Sequence, residues 1–253
     1  MSVAAFTWRH GVLVLLCFGT LAGVLSLDPI PQDPGYHAFA DARSWCGIPN
    51  FCDVVSNLPF LLVGLLGSRF CRRMNPRASR PAWIVLFAGV ATVSVGSAFY
   101  HWNPTSETLV WDRLPMTVAF MGLFVALLTE YAGWRAAALL VPAVVLGVAS
   151  VGYWHMTDDL RPYCWVQLAP LMTIPAVMLL FRKDAPHQWL LLLALGFYAS
   201  AKAMEVYDEE VFRISQNFIS GHTAKHLLAA AACYSVLSML RKQGTPDPGR
   251  VRD

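Results

Sequence analysis

Eight stretches of this chain are each long and apolar enough to cross a membrane, and nothing else limits its fold as strongly. A helix spanning the hydrocarbon core needs about 20 mostly apolar residues. The candidates lie near residues 11–27, 52–70, 81–101, 114–132, 135–152, 164–181, 187–204 and 219–240. Proline and charge clusters separate them: "RFCRRMNPRASRP", "HWNPTSETLVWDRLP", "HMTDDLRPY" and "RKDAPHQ". A spanning segment has no water to bond and must satisfy its own backbone, so an all-α bundle is expected. With 56% hydrophobic and 14% charged residues and a mean hydropathy of +0.48, the chain is too apolar for an ordinary soluble domain.

The first segment, "WRHGVLVLLCFGTLAGVLSLDP", follows Arg9 and His10 and reads as a retained extra helix, a cleaved signal segment being the alternative. The other seven spans form the core. Three regions result: an N-terminal segment and loop over 1–40, a seven-helix domain over 41–241, and a solvated, disordered tail over 242–253. There is no internal repeat. The small net charge of +3 gives no reason to expect a nucleic acid partner. Six cysteines lie scattered without a CxxC pair and read as small hydrophobes, although the spacing permits a Cys46–Cys52 bridge. No motif sets the oligomeric state, since "LLVGLLG" lacks the four-residue glycine spacing of a strong membrane-helix dimer.

Charge orients the bundle. Thirteen Lys and Arg residues, most of them in the connection holding Arg69, Arg72, Arg73, Arg77 and Arg80 and at the C-terminus, fall on one side; Arg43, Arg113, Arg161 and Arg213 fall on the other. The positive-inside rule then makes the C-terminus cytoplasmic. In that topology three histidines share one depth. Ser97 and His101 stand four apart at the outer end of one span, and His222 and His226 stand four apart at the outer end of the last. Asp112 lies where the chain re-enters the membrane, with Pro115 suited to the first turn of that helix.

Three imidazoles are a common ligand set for catalytic zinc. A carboxylate beside the metal-bound water can act as general base and then acid, and a hydroxyl can stabilise an oxyanion, roles that suit Asp112 and Ser97. Each element also has a plainer explanation. The histidine pair could bind haem or bond between helices, Ser97 could bond its own backbone, and Asp112 could cap a helix or pair with Arg113. His10, His37, His155 and His187 read as solvated, and Lys225, beside His226 in the chain but off its face of the helix, as snorkelling outward.

"GSAFYHWNPTSETLVWDRLPM", with SxxxH and an aspartate eleven residues after the histidine, resembles the alkaline ceramidase signature. "GHTAKH" is similar to that family's HxxxH on the last helix, and "SWCGIPNFCDVVSNLPFLLVG" to its amino-terminal WC…N…VSN stretch. The likeness covers roughly 41–241 and falls within a superfamily that also holds progestin/adiponectin-type receptors and GPI-lipid remodelling proteins. It implies a seven-helix fold around zinc held by His101, His222 and His226, completed by Ser97 and Asp112. It implies a membrane lipid substrate, the N-acyl amide of ceramide, cleaved to a sphingoid base and a fatty acid. Related readings are an ester or phospholipid hydrolase and a metal-containing lipid sensor. The eukaryotic relatives bind calcium through acids around the WC motif. Here Gly47 and Asn50 stand where acids are expected, leaving Asp41, Asn50 and Asp53 as oxygen donors, so a tight calcium site is doubtful, and Trp45 with Pro49 would pack as a lid. The short loops and this departure suggest a bacterial inner membrane with the site toward the periplasm, an endoplasmic reticulum or Golgi membrane being the alternative.

Overall fold

The computed structural model describes residues 7–181 and 187–244, and all regular structure in them is helical apart from one isolated bridge, Trp45 to Ile48. Among the described residues, eight helices are long and apolar enough to span a membrane. The protein is a multi-pass membrane protein: a seven-span bundle with an extra helix at its N-terminal edge. The order is α1 (Trp8–Leu25), α2 (Phe51–Val55), α3 (Leu58–Arg73), α4 (Arg80–Trp102), α5 (Ser106–Tyr131), α6 (Leu140–Thr157), α7 (Arg161–Leu180), α8 (Trp189–Val206), α9 (Asp208–Ile214) and α10 (Gly221–Gly244). Short 3₁₀ turns occupy Pro34–His37 and Trp134–Leu139.

The second span is broken into α2 and α3. Pro59 sits in the first turn of α3 and has no N–H to continue the ladder. Just before it the Asn57 N–H turns to the Val54 carbonyl, and Asn57 Nδ2 takes over the Asp53 carbonyl at 2.8 Å. Glycines let neighbouring spans approach. A Cβ on Gly89 would sit 2.7 Å from the Ala119 backbone, and one on Gly122 2.6 Å from that of Leu86, so α4 and α5 touch nearly backbone to backbone. Gly64 and Gly67 of "LLVGLLG" serve the same end against Ala91 and Phe87, within this chain.

α5 starts eight residues earlier than expected. Thr105 caps it, accepting from the Thr108 N–H at 3.2 Å, and Pro115 lies inside the helix. Proline leaves the Trp111 carbonyl without its usual donor. That carbonyl instead abuts Gly96 of α4, where a Cβ would lie only 2.0 Å from its oxygen. The proline is thus accommodated by a glycine on the next helix.

Segment 26–50 runs across one end of the bundle as a strap. Arg161 Nη1 donates to the carbonyls of Leu25 and Leu27, and the Leu160 N–H bonds the Ile30 carbonyl. Gln32 N–H donates to Asp158, Tyr36 to Glu205 and Ala40 N–H to Asp208. The Asp159 carboxyl, paired with Arg161, is held down at about 2, so it stays charged. α1 packs on α7 through the Trp165 indole, which bonds the Cys17 carbonyl.

Several sequence expectations change. α10 continues through Gly244, so residues 242–244 are helix and not tail; residues 245–253 lie outside the described residues. His10 is not simply solvated, because its Nε2 lies 2.8 Å from the Ala132 carbonyl. His37 is tied to Tyr100 at 2.9 Å and Ser106 at 3.2 Å. Cys46 and Cys52 are both free. The charged α9 interrupts the connection before α10, between the spans expected at 187–204 and 219–240.

Candidate active site

His101 closes α4, and His222 and His226 occupy successive turns at the start of α10. Their rings form a near-equilateral group, with centroids 4.8, 4.9 and 4.9 Å apart. Each ring can offer one nitrogen within 4.8 Å of the other two, and all three residues are buried. Among the described residues this is the one group of histidines, cysteines and acids close enough to hold a metal. The donor set fits zinc, which takes three imidazoles readily. The second contacts fit as well. His226 Nδ1 lies 2.7 Å from Ser56 Oγ, and that hydroxyl donates to the Asp53 carbonyl. Such a bond fixes the ring and leaves the other nitrogen free as a ligand. His101 Nδ1 is buried with no hydrogen-bond partner, an orphan that a metal would satisfy.

The cluster is held from several elements. Asn50, in a left-handed conformation before α2, donates from Nδ2 to the His101 carbonyl at 2.8 Å. Asp208 accepts the His222 N–H at 2.7 Å, capping α10 from a distance. Asp53 is fully buried and accepts from Thr223 at 2.6 Å. Phe39 of the strap packs on His101 and His222, with centroids 4.7 and 4.5 Å away, and covers the triad at this end of the bundle.

Ser97 and Asp112 face each other and line a cavity that His226 also lines. The cavity encloses about 300 Å³. From Ser97 it runs down α4 past Val93 and Val90 to Leu86. Eleven residues of helix make that depth about 16 Å. Its lower walls, among them Ala119, Leu123, Ile174 and Val236, are apolar, and its polar groups gather at the end near the triad. The shape suits a lipid tail with its polar group at the histidines.

A family model of ceramidases matches residues 47–243. The chain belongs to the ceramidase family. No curated protein matches it. The general activity of the ceramidase family is hydrolysis of the amide of a lipid, ceramide, and the apolar cavity and spans accord with such a substrate.

The structure brings Ser97, His101, Asp112, His222 and His226 to one end of the bundle. The loop residues are placed differently. Arg43 holds both Asp41 oxygens, at 2.7 and 2.6 Å. Burial pushes the Asp41 carboxyl up, but the Arg43 bonds and charge outweigh it and leave it below its ordinary value. Trp45 is no lid: it is 64% exposed on a tight turn, where it meets the Phe51 ring edge-on. Asn50 spends its amide on His101.

Lys225 corrects the snorkelling expectation. It is turned inward, 2.6 Å from Glu205 and 3.4 Å from His222 Nε2, because Glu205 waits for it on α8. Glu205 also accepts from Lys202 and from Tyr36. Burial and then the Glu205 charge push the Tyr36 phenol well up, so it remains a donor. Sequence reasoning missed Glu205 and Ser56. Glu205 carried a signal, as an ionisable residue at the end of an apolar span with a lysine on the neighbouring one. Ser56 carried none beyond its place in the VSN stretch.

Proposed function

We propose that the protein is a zinc-dependent intramembrane amidase that cleaves the N-acyl amide of ceramide, or of a related N-acyl lipid, to an amine and a fatty acid. One observation carries the reading: three buried imidazoles converge beside a facing carboxylate and hydroxyl at the polar end of an apolar cavity. His101, His222 and His226 would hold the ion. Bound there, zinc supplies a Lewis acid and a water whose pKa falls to about 7.

The chain's own groups supply the rest. Asp112 accepts the proton of the attacking water at a carboxylate oxygen and delivers it to the departing amine nitrogen. Ser97 donates its hydroxyl hydrogen to the acyl oxygen as charge builds there. Val90, Val93 and Ala119 receive the acyl chain, and the strap with Phe39 keeps bulk water from the histidines. The lipid enters from the side, between helices. The arginine bias between the two ends supports a site facing the periplasm of a bacterial inner membrane.

Elemental analysis of detergent-purified protein, beside a His222→Ala/His226→Ala variant and with hydrolysis of a fluorescent ceramide measured on both, tests this directly. About one zinc per chain with turnover, both lost in the variant, is the expected result. Wild type without zinc would overturn the metal assignment. Zinc without turnover of any N-acyl lipid would overturn the amidase.

A further inference from the structure

Arg113 is used by nothing in the mechanism above. It follows Asp112 on α5, about 100° further around the helix. It is buried, 5% exposed, and lines the same cavity as Ser97 and Asp112. Three rings surround its guanidinium: Trp154 of α6 at 4.0 Å, Tyr163 of α7 at 4.8 Å and Tyr36 of the strap at 5.7 Å from Cζ to centroid. Nη2 donates to Gln32 Oε1 at 2.6 Å, and Nη1 is buried with no hydrogen-bond partner.

Among the described residues no carboxylate lies within ion-pair distance of Arg113, whereas Arg43, Arg77 and Arg161 each have one. Aromatic faces stabilise the charge of a guanidinium from above and below. They do nothing for the N–H donors, which point outward in its plane and need acceptors. A buried arginine left in that condition is expensive unless a ligand completes it. The surroundings carry excess positive charge. Lys202 and Lys225 share Glu205, so this end of the cavity holds three cations against two carboxylates, Asp112 and Glu205.

We infer that Arg113 is the subsite for an anionic group on the amine half of the substrate, so that the preferred lipid is an N-acyl amide carrying a carboxylate, sulfonate or phosphate and not a neutral headgroup. The planar fork of a guanidinium matches each of these oxyanions through paired N–H bonds. The acyl chain occupies the apolar length of the cavity, and the anion reaches toward α6 and α7, helices that contribute nothing to the triad. The inference rests on the amidase reading for its chemistry, and the reaction is unchanged: water oxygen joins the acyl carbon, the C–N bond breaks, and the amine leaves with the proton.

The test compares amides that share one acyl chain. N-palmitoylglycine, N-palmitoyltaurine and palmitoyl ceramide 1-phosphate carry the three anions; N-palmitoylethanolamine and palmitoyl ceramide are neutral. In wild type, kcat/KM for at least one anionic amide should exceed that for the neutral ones by about tenfold to a hundredfold, as expected for charged hydrogen bonds. The anion that gains most identifies the headgroup class. In Arg113→Gln the anionic-to-neutral ratio should fall to near one. Arg113 also ties the strap down, so Arg113→Lys, which keeps the charge and loses the fork, serves if the glutamine variant does not fold; its ratio should drop severalfold. A wild type with no anionic preference, or a preference that survives in the variants, overturns the subsite. If no amide is cleaved at all, the amidase reading fails separately, and thermal protection decides the subsite. Stronger protection of wild type by N-palmitoylglycine than by N-palmitoylethanolamine, equalised in the variant, upholds it; equal protection in wild type overturns it.

Discussion

α1 and α5 are equally apolar by sequence, yet 6% of the α1 window is buried against 56% of that of α5. The difference lies in which minor residues each carries. α5 holds Asp112, Arg113, Pro115, Thr117 and Gly122, and every one has a counterpart on another element or a place in the cavity. α1 holds three glycines with nothing near them and one buried residue, Leu13. In lipid, apolar surface gains little by leaving the solvent, so hydropathy marks a span without saying whether it is central. Polar and small residues do say so, because they need partners or permit close approach.

That contrast can be broken at single positions. The largest effect is expected from Asp112→Asn, which should lower turnover by about a hundredfold to ten-thousandfold while zinc content and thermal stability hold. Turnover close to wild type would mean that the burial of Asp112 in α5 serves structure and not chemistry. Next comes Ser56→Ala, which removes the hydroxyl beside His226 and should weaken zinc affinity by about tenfold to a hundredfold, read by chelator competition. Ser235, on the same helix as His226, bonds the Ala231 carbonyl one turn back, and Ser235→Ala should leave that affinity alone. Equal losses in both would dissolve the distinction between inter-helix and intra-helix hydroxyls. The smallest effects concern packing. Gly122→Leu drives a side chain into the Leu86 backbone and should cost about 1–3 kcal/mol in detergent unfolding, whereas Gly19→Leu on α1 meets open space and should stay within about 0.5 kcal/mol.

Much of the site was legible because two periodicities coincided. A four-residue spacing puts Ser97 with His101 and His222 with His226 on single faces, and alternating spans carry both faces to one end. The WC…VSN stretch was legible as a likeness but not as a mechanism. Its serine steadies His226, its asparagine donates to the Asp53 carbonyl, and Trp45 remains exposed. Nothing local distinguishes a tryptophan that covers a site from one that faces outward. Pro115 misled for a related reason: the first turn is the usual place for a proline, and only Gly96 on the neighbouring helix makes an interior one affordable.

The sequence by itself determined the all-helical class, the number of spans, the family and the end of the bundle where the histidines meet, because hydrocarbon forces backbone self-satisfaction and helical spacing fixes faces. The tertiary structure alone decided the partners. That Lys225 turns inward to Glu205, that Asp208 caps α10 and that Arg113 stands among rings without an acid depend on which helices lie side by side. A buried charge is governed by groups remote in the chain, and no window of sequence contains both halves of such a contact.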